Sequence, residues 1–183
     1  MIPFLVATLV VALAGAALDY KTGQIPNWLT LGALPLGPLA HFGVWLAQGH
    51  PLGDSLYWMA WALAGAAVCA GPAAVLWRGG AIGGGDVKLL AALGGFCGPR
   101  RAMDIVSCAF VGFIVLAAVA LARRGRLAST LKNAWLLAKN RFTPAERRVP
   151  THVEAMTELR MGPAILAGVV AAFVWEYLWW GRF

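Results

Sequence analysis

The chain has 183 residues, of which 60% are hydrophobic and 13% are charged, and its mean hydropathy is +0.71. A soluble domain contains about half apolar and about a quarter charged residues, so this composition excludes an ordinary soluble protein and indicates a bundle of membrane helices. The net charge is +7, but the basic residues lie in particular loops, which points to membrane topology. We therefore expect contact with the lipid bilayer and no nucleic-acid partner.

Five apolar segments are long enough, or nearly so, to cross a membrane as helices, which takes about 20 residues. They are residues 2–18, 28–47, 56–77, 105–122 and 161–180. The first follows Met1-Ile2-Pro3, which lacks the basic segment of a signal peptide, so it is interpreted as a mature membrane helix. His41 has no partner at metal-ligand spacing and is expected to pack in the bundle or face a pore. Glu176, among aromatic residues at the end of the last segment, is expected to reach the lipid headgroups.

A sixth apolar run, residues 89–97, would extend only about 14 Å as a helix. If it crosses the membrane, the 15 Lys and Arg residues divide twelve to three between the two sides; otherwise they divide nine to six. The positive-inside rule favours the crossing. The prediction is therefore a polytopic all-α bundle of six transmembrane helices, with both termini outside the cytoplasm.

To cross the membrane, this short helix must include the glycines before it, in the stretch Gly83-Gly84-Gly85-Asp86. Glycine-rich backbone at membrane depth requires protein or a watery cavity around it, so a cavity is expected near Asp86. Ionisable residues within membrane segments usually mark functional sites. The ordinary alternative is a glycine-rich loop followed by an aspartate that caps a helix.

The loop of residues 123–160 is the only sizeable polar region and is predicted to be cytoplasmic. Apolar side chains recur in it at helical spacing, which predicts one amphipathic helix in the headgroup layer; these are Leu127, Leu131, Ala134, Trp135, Ala138 and Phe142. A solvated or bundle-packed helix is the alternative. With no internal repeat, residues 1–183 are predicted to form a single membrane-embedded domain.

A second acid, Asp19, lies at the end of the first apolar segment, where it is either an ordinary boundary charge or a functional group. In the six-helix topology Asp19 and Asp86 both lie at cytoplasmic helix ends. Two carboxylates in one pocket do not readily ionise together, so one keeps a proton and the other is free. Such a pair can activate a water against an amide carbonyl while protonating the carbonyl oxygen. No Ser-His or Cys-His arrangement competes with it.

Two motifs resemble the signatures of type IV prepilin peptidases, which are GxGD-type intramembrane aspartic proteases. They are Asp-x5-Ile-Pro-Asn-x-Leu-Thr at residues 19–30 and Gly-x-Gly-Asp-Val-Lys at residues 83–88. The stretch Arg160-Met161-Gly162-Pro163 resembles the family's weaker third element, with Met161 where an aromatic residue is usual. The resemblance covers essentially the whole chain.

This resemblance implies a hydrolase, an aspartic endopeptidase that removes the basic leader of a prepilin or pseudopilin at the cytoplasmic face of the inner membrane. Asp19 and Asp86 would be the catalytic pair, supported by the motif residues Pro26, Asn27, Gly83, Gly85 and Lys88. In the loop, Glu154 and Glu158 could attract the basic leader, and Arg160 or Lys88 could meet a glutamate of the pilin. Neither a metal ion nor another cofactor is expected.

Larger members of that family carry a four-cysteine zinc insertion and methylate the new pilin terminus. Here Cys69, Cys97 and Cys108 lie in apolar surroundings without a Cys-x-x-Cys pair. The chain therefore resembles the compact form associated with Flp-type, or tight-adherence, pili. Archaeal preflagellin peptidases are the near neighbours.

Two other classes of function stay open at this point. A small proton- or ion-coupled transporter could use Asp19 and Asp86 as carriers, although no inverted repeat is visible. A non-catalytic component of pilus assembly would not need either acid. The sequence indicates neither the oligomeric state nor which acid carries the proton.

Overall fold

The computed structural model describes residues 2–80, 82–123, 125, 128–129, 132, 135–136 and 161–180, and the described elements are all helices. They are α1 (Ile2–Thr22), α2 (Asn27–Ala47), α3 (Leu52–Arg78), α4 (Gly84–Arg123) and α5 (Gly162–Trp180). Helices α1 to α4 are long and apolar enough to cross a membrane, whereas the apolar part of α5, Gly162–Leu178, is shorter. The all-α prediction is confirmed, and six membrane crossings stay a prediction.

Proline and glycine set the ends of the first three helices. Pro26 and Pro51 immediately precede α2 and α3, where a fixed φ favours the first helical turn and the missing N–H costs nothing. Just beyond the C-terminal ends of α1, α2 and α3, Gly23, Gly49 and Gly80 take φ values of 72°, 81° and 73°. Glycine tolerates this left-handed conformation, which stops a helix within one turn.

Helix α4 is two helical arms joined at Gly98, which has φ 74° and ψ 168° and precedes Pro99. We call residues 84–97 the first arm and residues 99–113 the second arm. The Sγ of Cys69 in α3 bonds the carbonyl of Ala102 in the second arm, and its Cβ lies 3.0 Å from where a Cβ of Gly94 in the first arm would be. Residues 94 and 102 therefore both lie beside Cys69, at the same height along α3. The chain thus reverses direction at Gly98.

The first arm is the centre of the bundle, and every residue from 89 to 98 is buried. Its contacts with α1 run antiparallel, since Leu89 packs on Gly15 while Cys97 lies 3.1 Å from the hydroxyl of Thr8. Small residues let it approach the neighbouring backbones closely, as is usual between membrane helices. Gly65 of α3 faces Gly94, and a Cβ on Gly37 of α2 would lie 2.6 Å from the carbonyl carbon of Gly95. Helices α1, α2 and α3 thus surround this arm.

The second arm runs antiparallel to α5. A Cβ on Gly168 would lie 2.5 Å from the nitrogen of Ala109, and Arg101 reaches Glu176. The carboxylate of Glu176 accepts hydrogen bonds of 2.7–2.9 Å from the guanidinium of Arg101. Glu176 is therefore held in a forked, part-buried ion pair between the second arm and α5. Its expected contact with lipid headgroups stays a prediction.

His41 packs inside the bundle, which agrees with one of the two alternatives for it. It is 5% exposed, its ring stacks on Phe4 at 3.9 Å, and its Nε2 lies 3.0 Å from the carbonyl oxygen of Phe96.

The chain divides into two compact units, Met1–Phe113 with Arg160–Phe183, and Ile114–Leu159. In the second unit the structure describes the end of α4 and a few further positions, of which Trp135 is helical and 71% exposed. The predicted amphipathic helix lies mostly outside the described residues.

Candidate active site

A cavity of about 370 Å³ lies at the end of the first unit where α1 ends and α4 begins. Three short segments line it: the last turn of α1, the α1–α2 loop with the start of α2, and the glycine stretch that opens α4. Its lining residues are Asp19, Gly23, Gln24, Ile25, Pro26, Asn27, Gly83, Gly84, Gly85 and Asp86. The cavity expected near Asp86 is therefore present, and it also contains Asp19.

Asp19 enters the cavity from the last turn of α1 and is only 6% exposed. Its Oδ2 accepts a hydrogen bond of 2.9 Å from the backbone nitrogen of Gly162, the first residue of α5. A Cβ at position 162 would lie 2.8 Å from both the Cβ and the Oδ2 of Asp19. Glycine at this position thus allows α5 to begin directly against the carboxylate.

Asp86 enters the cavity from the first turn of α4 and is half-buried. Its Oδ2 accepts a hydrogen bond of 3.1 Å from the backbone nitrogen of Gly83. A Cβ on Gly85 would lie 3.2 Å from the Cβ of Ile25, so this glycine lets the start of α4 approach the α1–α2 loop. The two motif glycines thus have different tasks: Gly83 binds the acid, and Gly85 brings two cavity walls together.

Pro26, Asn27 and Lys88 support the cavity from the α2 side. The carbonyl of Pro26 accepts hydrogen bonds from the nitrogens of Leu29 and Thr30, at 3.2 and 3.4 Å, and so starts α2. The Nζ of Lys88 donates a 2.8 Å hydrogen bond to the Oδ1 of Asn27. Asn27 lines the cavity and Lys88 does not, so this exposed bond ties the starts of α2 and α4 together beside the two acids.

The other predicted substrate-binding residues, Glu154, Glu158 and Arg160, lie outside the described residues. Sequence reasoning assigned no role to Gly162, whose backbone N–H contacts Asp19 directly. Its only signal was the Gly162-Pro163 pair of the weaker third motif, because a backbone donor has no side chain that could mark it.

Two carboxylates on different helices thus share one polar cavity in an all-helical protein with long apolar helices. This combination is typical of membrane proteins of the aspartic hydrolase type, in which two carboxyl groups act together on an amide.

Comparison with known families agrees. The model of the type IV leader peptidase family matches residues 5–122, almost two thirds of the chain and both acids. The chain belongs to this family, and it is an aspartic-type prepilin peptidase of the membrane. No curated protein and no solved structure matches it.

Proposed function

We propose that Asp19 and Asp86 are the catalytic pair that removes the leader of a type IV prepilin or pseudopilin, of the Flp type, at the cytoplasmic face of the inner membrane. One observation carries this proposal: the two acids reach the same cavity from different helices. Gly83, Gly84 and Gly85 line the cavity beside the acids, so part of its wall is backbone without side chains.

The proposed reaction needs a water and both acids. The ionised carboxylate takes a proton from the water, whose oxygen attacks the scissile carbonyl carbon, and the protonated carboxyl gives its proton to the carbonyl oxygen. The resulting gem-diol collapses when the first acid returns its proton to the leaving nitrogen and the second recovers one from a diol hydroxyl. The C–N bond breaks, a carboxyl and an amine form, and both acids regain their starting states.

Membrane geometry supports cleavage at the cytoplasmic edge. The charge count favours six crossings, and the reversal at Gly98 adds a sixth to the five helices by dividing α4 into antiparallel arms. Asp86 then lies at the cytoplasmic end of the first arm, and Arg100 and Arg101 lie at the other end. A prepilin, with a basic leader before a hydrophobic helix, would embed beside the bundle and bring its cleavage point to the cavity.

Charge complementarity supports the remaining substrate contacts. Glu154 and Glu158 are acids that can attract the basic leader, and Arg160 or Lys88 can meet a pilin glutamate. Lys88 is held by Asn27 at the rim of the cavity, so a substrate carboxylate can reach it without entering between the acids. By resemblance to the family, cleavage follows a glycine of the prepilin. The Flp assignment is supported by the cysteines, because Cys69 and Cys97 are buried in the bundle and three cysteines do not make a four-cysteine zinc site.

We expect the detergent-solubilised protein to cleave an Flp-type prepilin with no ion gradient present. Mass spectrometry of the two products gives the cleavage position, and a prepilin with its leader glycine replaced by a bulky residue is the control. A transporter or a non-catalytic assembly component would leave the prepilin intact. Equal cleavage of the longer prepilins whose new N-terminus is methylated would contradict the Flp assignment but not the peptidase activity.

The six-helix topology predicts that residues at the Gly98 reversal face the outside. Cys97 is buried against Thr8, so an exposed position is needed for labelling. In a protein with its three cysteines replaced by alanine, Arg100→Cys should react with an impermeant maleimide added to spheroplasts. Lys21→Cys, exposed beside the cavity, is the matched variant and should react only in inverted vesicles. Labelling of both positions from the same side would contradict six crossings.

A further inference from the structure

The carboxylate of Asp19 is held by an element far away in the sequence. Its Oδ2 and the Gly162 nitrogen are 2.9 Å apart, buried, and separated by 143 residues. The contact is set by packing, because a Cβ on Gly162 would also lie 3.1 Å from the Cα of Ala16, one turn before Asp19. The donor is therefore fixed by the packing of α5 on α1.

Asp86 is held differently. Its donor, the Gly83 nitrogen, comes from three residues earlier, at 3.1 Å, and the bond is exposed. When such a bond breaks, water replaces the lost partner at little cost, whereas a buried group that loses its partner bears the full desolvation penalty. The Asp86 bond can therefore be exchanged during a reaction, and the Asp19 bond cannot.

The Asp19 carboxylate is buried and accepts a hydrogen bond from the backbone. It is only 6% exposed, so few waters reach it. A charge-assisted bond from a backbone N–H, at a helix N-terminus that carries partial positive charge, favours the anion. In a buried, low-dielectric place this bond is stronger than an exposed one.

Among the described residues, no cationic side chain is bonded to the Asp19 carboxylate. Asp86 faces it from α4 across the cavity, and the ammonium of Lys88 in the next turn is bonded to Asn27. On α1 itself, Tyr20 and Lys21 are exposed. The first thirteen residues of α5 contain no titratable side chain, and the start of α2 contributes the uncharged Asn27. Among the described residues, the Gly162 N–H is thus the hydrogen-bond donor to this carboxylate.

We propose that the backbone N–H of Gly162 holds Asp19 as the ionised, water-activating member of the pair, which leaves Asp86 to carry the proton. This assignment rests on the proposed function of the two acids. Gly162 is a positioning residue, since it acts through Asp19 and touches no reacting atom.

The sharpest test removes the N–H alone, by replacing Gly162 with glycolic acid, so that the backbone amide becomes an ester and no Cβ is added. Without the donor, Asp19 holds its proton more tightly. The acid limb of the kcat–pH profile should then move up by about one pH unit, a tenfold change in the ionisation equilibrium. On the acid limb, where the rate follows the ionised fraction, we expect kcat to fall about tenfold, with a smaller loss at the wild-type optimum and KM unchanged. Gly162→Ala, which forces the amide and the carboxylate apart, should move the same limb.

Gly168→Ala is the matched control. It lies on the same helix, and its Cβ would lie 2.5 Å from the Ala109 nitrogen, so it disturbs packing at least as strongly but away from the acids. It should lower thermal stability and leave the pH profile in place.

Movement of the alkaline limb in place of the acid limb would reverse the assignment and make Asp86 the base. An ester variant with an unchanged profile would remove Gly162 from the mechanism. Both results would leave the catalytic pair intact, because failure of the pair itself would appear as cleavage by a variant that lacks one acid.

Discussion

Asp19→Asn and Asp86→Asn should each lower the rate of prepilin cleavage by at least about a thousandfold. An asparagine amide neither takes a proton from water nor exchanges one with the other acid. The loss should appear in the chemical step, with substrate association and expression retained. Single-turnover cleavage of a labelled prepilin measures that step, and co-purification measures association.

Asp54→Asn is the matched control, since Asp54 is an exposed acid in the first turn of α3. It should cleave at the wild-type rate. The wild-type rate should also fall at both low and high pH, because one acid must be ionised and the other protonated. Substantial cleavage by either asparagine variant would show that a nucleophile or a metal outside this pair carries the reaction.

Gly65→Ala should have the largest effect on stability of any single methyl group added to the bundle. Position 65 faces the carbonyl oxygen of Gly94, and a Cβ there would also lie 2.7 Å from the Cα of Gly98. These are backbone atoms of the buried first arm and of the joint at Gly98, which cannot rotate away as a side chain can. Overpacking of this kind costs about 3 kcal/mol, which corresponds to a fall in Tm of roughly 10 °C for a chain of this length.

The protein's own thiols provide the measurement. Cys69 and Cys97 are buried, so a thiol-reactive fluorophore reports unfolding when they become accessible on heating. Gly71→Ala, on the same helix with no atom within 4 Å of the added methyl, is the control and should keep the wild-type Tm. Equal Tm values for the two variants would contradict the close packing of α3 on the first arm.

The helices and the two acids could be predicted from the sequence because their signals are local. Apolar runs of about 20 residues require helices in a membrane, and each of the predicted segments lies within, or within one residue of, an observed helix. Likewise, an aspartate at an apolar helix end is visible in the sequence itself. The pairing of Asp19 with Asp86 followed from placing both helix ends on one side, and the shared cavity agrees with it.

Other features depended on contacts between distant segments. Glu176 carries no sign in the sequence that Arg101, 75 residues earlier, would bind it. A stretch of nine apolar residues does not show that three helices surround it; that follows from glycines on α2 and α3 that face its backbone.

The donor to Asp19 is the clearest case of a feature that only the tertiary structure decided. A backbone N–H is present at every residue except proline, so composition, periodicity and spacing do not distinguish Gly162 from its neighbours. It acts on Asp19 because α5 packs against the end of α1 closely enough that position 162 has no room for a Cβ. The sequence by itself determined which acids are present, and the packing of α5 determined how one of them is held.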